Sequence, residues 1–130
     1  MTLQDADKEI LKQHRIRQSR KALEEVQFLL DNKKLSLAVN RIYYAIFYII
    51  SAAAIKNDFS TSKHKQLLGW FNKNFIKNKK IDSEYSKLIY SAYQNREKSD
   101  YDFLFELSLE EVESLFAKTK EFIDIVRKII

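Results

Sequence analysis

Residues 42–55, IYYAIFYIISAAAI, run for fourteen positions without a charge, and they leave few folds open to the chain. Arg41 and Lys56 bracket the run. As a helix it spans about 22 Å, at roughly 1.5 Å per residue. A bilayer's hydrocarbon core is ~30 Å thick and needs roughly 20 apolar residues to cross it. The run is too short to span and too apolar to lie on a surface, so the expectation is a helix buried on most of its faces. It is extended backwards by Leu35 and Val39, which join Ile42, Ile46, Ile49 and Ala53 at alternating steps of four and three, one helical stripe. Ala38, Ala45 and Ala52 form a second row of small residues, on which a neighbouring helix can come close.

The rest of the chain agrees with a helical bundle. Its 130 residues include no proline and one glycine, Gly69. Sheets need many turns, and turns draw on those two residues. Period-two alternation is nowhere sustained, so the fold class is all-α, a single domain over 1–130 with four or five helices running up and down. Helices are expected over residues 5–30, 35–56, 62–75, 82–96 and 108–130. DFSTS, at 58–62, supplies N-cap candidates for the third, and Asp82 or Ser83 caps the fourth. The polar stretch NREKSDYDF marks the end of the fourth. Ser108 with Glu111 makes a capping box for the fifth. That helix carries Leu109, Val112, Phe116, Thr119, Ile123, Val126 and Ile130 in a three–four alternation.

Several chemistries are excluded. Without cysteine there is no disulfide, thiolate nucleophile or cysteine-based metal site. The same lack fits a reducing cytosol, and the acidic N-terminus has no apolar segment of a signal peptide. The expected location is therefore cytoplasmic, off the membrane. The two histidines, His14 and His64, lack a Glu three residues before them, and no HExxH, GxSxG or Walker loop occurs. No metal or cofactor is expected. The formal charge of +5, from 23 Lys and Arg against 18 Asp and Glu, permits nucleic-acid binding without requiring it.

Three stretches hold polar groups of interest. SKHKQLLGWFNKNFIKNKK mixes lysines with Trp70, Phe71 and Phe75. Such a patch can bind nucleic acid, although rings at this spacing more often pack in a core. Asn40 and Arg41 open the apolar helix beside Tyr43 and Tyr44. They either face water or line a polar groove with the tyrosine hydroxyls. In NREKSDY, Arg96 and Asp100 stand four apart and share a helix face. They form either an ordinary surface pair or a phosphate site in which Asp100 orients Arg96.

Taken together, AVNRIYYAIF at 38–47, SKHK at 62–65 and REKSDY at 96–101 resemble the HEPN family (higher eukaryotes and prokaryotes nucleotide-binding) over about residues 8–130. The likeness is to its small stand-alone prokaryotic branch with Arg-x-x-x-Asp-Tyr. The resemblance implies a bundle that forms a homodimer, a metal-independent ribonuclease cleft at the subunit interface, RNA as target, and a small nucleotidyltransferase as antitoxin partner. It implies Arg96, Asp100, Tyr101 and His64 as catalytic residues, with Asn40, Arg41, Tyr44 and Asn95 supporting them.

The sequence departs from the best-marked toxin motif, Arg-x4-His-x-Tyr. Tyr101 stands where the histidine is expected, and Phe103 where the modifiable tyrosine is expected. A phenol titrates near pH ~10 and is a poor base at neutrality. A non-catalytic nucleotide- or partner-binding module is the alternative. A DNA-binding bundle using the third helix ranks below both. Part of the aromatic surface of Tyr43, Tyr44 and Phe47, with the region around Arg96, is expected at or near a two-fold interface.

Overall fold

The computed structural model describes residues 4–101 and 106–130. Phe103 lies outside the described residues. The elements are α1 (Asp5–Asp31), α2 (Leu35–Lys56), α3 (His64–Phe71) continued by a π-helical turn (Asn72–Ile76), α4 (Glu84–Tyr101) and α5 (Leu109–Arg127), with no strand among the described residues.

The uncharged run is the hub. α2 packs against α1, α3, α4 and α5, and Ile42, Tyr43, Ile46, Ile49 and Ile50 are fully enclosed. By length and composition α2 is the one described helix apolar enough to cross a membrane, yet most of it is buried inside the bundle. Ala38, Ala45 and Ala52 are all at 0 % exposure. The small row brings α1 close enough for Ser19 Oγ to donate to the Ala45 carbonyl at 2.7 Å. A larger side chain at Ala45 would prevent that approach.

α5 closes the bundle with its capping box in place: Glu111 N–H donates to Ser108 Oγ and Ser108 N–H to Glu111 Oε1. Val112, Phe116, Thr119, Ile123 and Val126 are buried as the alternation predicts, while Leu109 is exposed. Phe122, outside that stripe, is fully buried and meets the rings of Phe71 and Tyr85 at 5.7 and 5.6 Å.

Three expectations need correcting. The third helix starts at His64, not in DFSTS, and its N-cap Lys63 gives no side-chain bond. Thr61 instead accepts from Lys63 N–H and donates to Gln66, so the hydroxyl-rich segment forms the turn before the helix. The same helix widens into a π turn, closed by Lys77 N–H donating to the Asn72 carbonyl. In a wider turn both i+4 and i+5 face the same way, which puts Phe75 and Ile76 together beneath Phe71. Phe71 and Phe75 stack at 4.8 Å, and the lysines around them are exposed, as the core reading of those rings requires.

The fourth helix does not end at Arg96 but continues to Tyr101. NREKSDY contains no glycine or proline to stop it, the Arg96–Asp100 pair spans its last turn, and the hydroxyls of Ser99 and Ser36 tie that turn to the start of α2.

The connections are made without glycine, because the one glycine, Gly69, lies within α3. Lys33, Asp58 and Lys79 take positive φ values of 59°, 58° and 66° just beyond helix ends, the place where glycine is usual.

Candidate functional site

Tyr43 and Tyr44 are neighbours on α2 whose rings meet edge to face at 5.2 Å. Tyr43 points inward and is fully buried; Tyr44 is half-buried. Over this pair lies Arg96 of α4. Its guanidinium carbon is 5.4 Å from the Tyr43 ring centre and 5.5 Å from that of Tyr44. Nη2 donates to the Tyr44 hydroxyl at 3.3 Å. Nε lies 3.3 Å from Asp100 Oδ2, an ion pair by distance, but its N–H is not aimed at that oxygen and is enclosed without an acceptor among the described residues. The cation is thus held by two ring faces, the Tyr44 hydroxyl and one carboxylate, with its Nε–H unused among the described residues.

His64 arrives from the first residue of α3. Its Nδ1 is 2.9 Å from the Tyr43 hydroxyl, and its ring stacks on Phe47 at 4.1 Å. Burial, and then the Arg96 charge, hold the imidazole pKa below its ordinary value. Burial raises the Tyr43 phenol pKa well above normal, with Arg96 opposing. At neutral pH the pair is therefore an uncharged imidazole and an uncharged phenol beside a fixed cation.

Arg41 reaches the same tyrosine from the other side. Its guanidinium carbon lies 5.0 Å from the Tyr44 ring centre, its Nε and Nη2 donate to Asn40 Oδ1 at 3.2 and 3.0 Å, and Glu25 stands 4.0 Å from Nη1. Tyr44 therefore connects Arg41 to Arg96, and Asn40 acts on the cluster only through Arg41. Among the described residues no group of three His, Asp or Glu side chains could hold a metal ion.

Arg96, Asp100, His64, Tyr44, Arg41 and Asn40 form one connected set. Two expected residues do not join it. Tyr101 is 79 % exposed. Asn95 donates to Ser91 and lines a groove between α4 and α5. Tyr43, Phe47 and Tyr93 were absent from the expected set, and Tyr43 is its centre. Their spacing held a signal: Tyr43 and Phe47 are four apart on α2, and Tyr93 and Arg96 three apart on α4, so each pair shares a face. Of the three aromatics Tyr43, Tyr44 and Phe47, one chain buries Tyr43 completely and leaves Tyr44 and Phe47 partly exposed.

A HEPN domain model matches residues 13–129. The chain belongs to the HEPN family. It is 36 % identical to a UPF0332 protein of Thermotoga maritima, over 95 % of this chain and 94 % of that relative. Two proteins of Methanocaldococcus jannaschii, each named a "putative toxin", share 34 % and 30 % identity. The first match covers 87 % of this chain and 77 % of the relative; the second covers 82 % and 78 %. Within the HEPN fold the cluster joins α2, α3 and α4 at one surface.

Proposed function

We propose that this HEPN-family chain is the toxin-like member of a toxin–antitoxin pair. It acts in the cytoplasm as a metal-independent ribonuclease, in a cleft completed by a second copy, and a small nucleotidyltransferase restrains it. The observation that carries this reading is the meeting of Arg96 and His64 on Tyr43. The names of the two archaeal relatives agree with a toxin role.

RNA cleavage needs a charge to bind the phosphate and a group to move a proton. Arg96 supplies the first, with a guanidinium fork that matches phosphate oxygens. His64 supplies the second. With Nδ1–H donating to the Tyr43 oxygen, Nε2 is bare and accepts the proton of a ribose 2′-hydroxyl. The 2′-oxygen then attacks phosphorus. The bond to the 5′-oxygen breaks, and the imidazolium returns its proton to that oxygen. The products are a 2′,3′-cyclic phosphate and a 5′-hydroxyl end. The lowered His64 pKa keeps the base unprotonated before the reaction. Asp100 limits the rotation of Arg96 through their ion pair.

The test is incubation of the purified protein with single-stranded RNA in the presence of EDTA. Cleavage leaving 5′-hydroxyl ends, abolished in both Arg96→Ala and His64→Ala, is the expected result. Intact RNA with wild type, or equal cleavage by Arg96→Ala, overturns it.

One observation favours a second reading. The residue at the motif-histidine position, Tyr101, carries no imidazole and is 79 % exposed, outside the cluster. In that reading the cluster binds a nucleotide or the partner without cleavage. Tight binding of the nucleotidyltransferase by protein that leaves RNA intact would select it.

A further inference from the structure

The only glycine of the chain stands where the fold gives no structural reason for one. Gly69 lies inside α3, where glycine costs about 0.5–1 kcal/mol relative to alanine. It has no positive φ, and a Cβ built on it meets nothing within 4 Å. Neither backbone conformation nor a close neighbour calls for it. A helix tolerates an isolated glycine at that cost, and at Gly69 what its missing side chain leaves is open space.

What Gly69 faces is a groove of about 360 Å³ between α3 and α4, lined also by Lys65, Asn72, Tyr90, Tyr93 and Gln94. The size lies at the small end of ligand pockets, which run roughly 300–1,000 Å³. Tyr90 is 67 % exposed, an open ring face. The side-chain amides of Asn72 and Gln94 make no hydrogen bond among the described residues, so both keep a free donor and a free acceptor. Lys65 holds its ammonium 5.9 Å from the Tyr93 ring centre. An exposed ring, two free amide edges, a cation and a floor without a side chain match one chemistry: a flat heterocycle with a hydrogen-bonding edge and an attached phosphate.

The groove also adjoins the cluster. Tyr93 meets the Tyr43 ring at 5.9 Å and precedes Arg96 by one turn, and Lys65 follows His64 in sequence.

We propose that the α3–α4 groove is a nucleobase subsite, which seats one unpaired base of a single-stranded RNA while the adjoining phosphate lies on Arg96. The placement of the phosphate rests on the function proposed above; the seating of the base does not. Tyr90 stacks the base, Asn72 and Gln94 read its edge, and Gly69 leaves room for it.

The test uses the full chain and a five-residue oligoadenylate. It carries 2-aminopurine at its centre and 2′-O-methyl groups throughout, so that it cannot be cleaved. Binding by wild type is expected to change the 2-aminopurine emission, as stacking does. Tyr90→Ala should weaken binding on the order of 5- to 100-fold, the range for loss of one base–aromatic stack. Gly69→Leu fills the groove and should remove the emission change. Gly69→Ala, which adds one methyl group, serves as the folding control and should melt at or above the wild-type temperature. No emission change with wild type, or unchanged binding by Gly69→Leu, overturns the subsite. So does a Gly69→Leu or Tyr90→Ala effect accompanied by a change in molar mass by light scattering, since the groove would then be a subunit contact. Arg96→Ala separates the two readings. If it cleaves RNA as well as wild type, the cleavage site is wrong, while the emission change at Gly69 and Tyr90 still decides the subsite.

Discussion

The Tyr43 hydroxyl lies 2.9 Å from His64 Nδ1, a single contact that ties the middle of α2 to the first residue of α3. Both partners are held neutral at physiological pH, and Arg96 lies across the Tyr43 ring. Tyr43→Phe keeps the ring and loses only this bond. It should cost about 0.5–1.5 kcal/mol in urea unfolding, with the fold intact by circular dichroism. A loss above about 3 kcal/mol would mean that the ring itself had moved.

His64 should make stability depend on pH in a defined direction. Its folded pKa lies below the ordinary value of about 6.5. The unfolded chain therefore binds its proton more readily. The stability His64 contributes is fully present above pH ~6.5 and is lost as pH falls from there towards the lower folded pKa. His64→Gln should flatten that part of the curve of urea midpoint against pH. Arg96→Gln should raise the His64 pKa, followed by NMR of the ring. It should not restore the ordinary value, because burial is the larger cause.

At Arg96 charge alone should not suffice. The guanidinium plane lies over two rings and bonds the Tyr44 hydroxyl, and an ammonium does not reproduce a planar fork. Arg96→Lys should lose about 100-fold or more of RNA cleavage, the scale for removal of a transition-state donor. Growth on expression should recover nearly as far as with Arg96→Ala. Lysine retaining a tenth or more of the activity would show that positive charge is the whole requirement.

Between α1 and α2 the row of alanines sets the distance. Ala45 is fully buried, with its carbonyl bonded by Ser19. Ala45→Leu should destabilise by about 1–3 kcal/mol through overpacking, and Ile46→Ala by about 2–5 kcal/mol through the cavity left behind. Denaturant midpoints at constant m-value check both.

Lys33 closes the α1–α2 turn with a φ of 59°. A left-handed L-residue costs roughly 1–2 kcal/mol, of which glycine's extra chain entropy returns about 0.5–1. Lys33→Gly should therefore stabilise the chain by about 0.5–1 kcal/mol in thermal melts. A lower melting temperature would count against strain at this turn.

Much of this protein is written locally. The length of the uncharged run made α2 a core helix, the near-absence of proline and glycine excluded a sheet, and Ser108 with Glu111 marked the start of α5. These are properties of neighbouring residues, expressed at the helical period. The Arg96–Asp100 pairing was legible for the same reason, since four residues along a helix make one face. Where the sequence misled, a distant partner decided. Whether the turn at Asn72–Ile76 widens depends on the room that the core leaves for Phe71, Phe75 and Ile76. Whether NREKSDY ends a helix depends on Ser36, 63 residues before Ser99. The site shows the division most clearly: Arg96, His64 and Tyr43 lie on three helices, and nothing in their spacing sets their separation. Tyr43 reads as one more aromatic of an apolar run. Only the packing of α3 and α4 against α2 puts an imidazole on its hydroxyl and a guanidinium on its face.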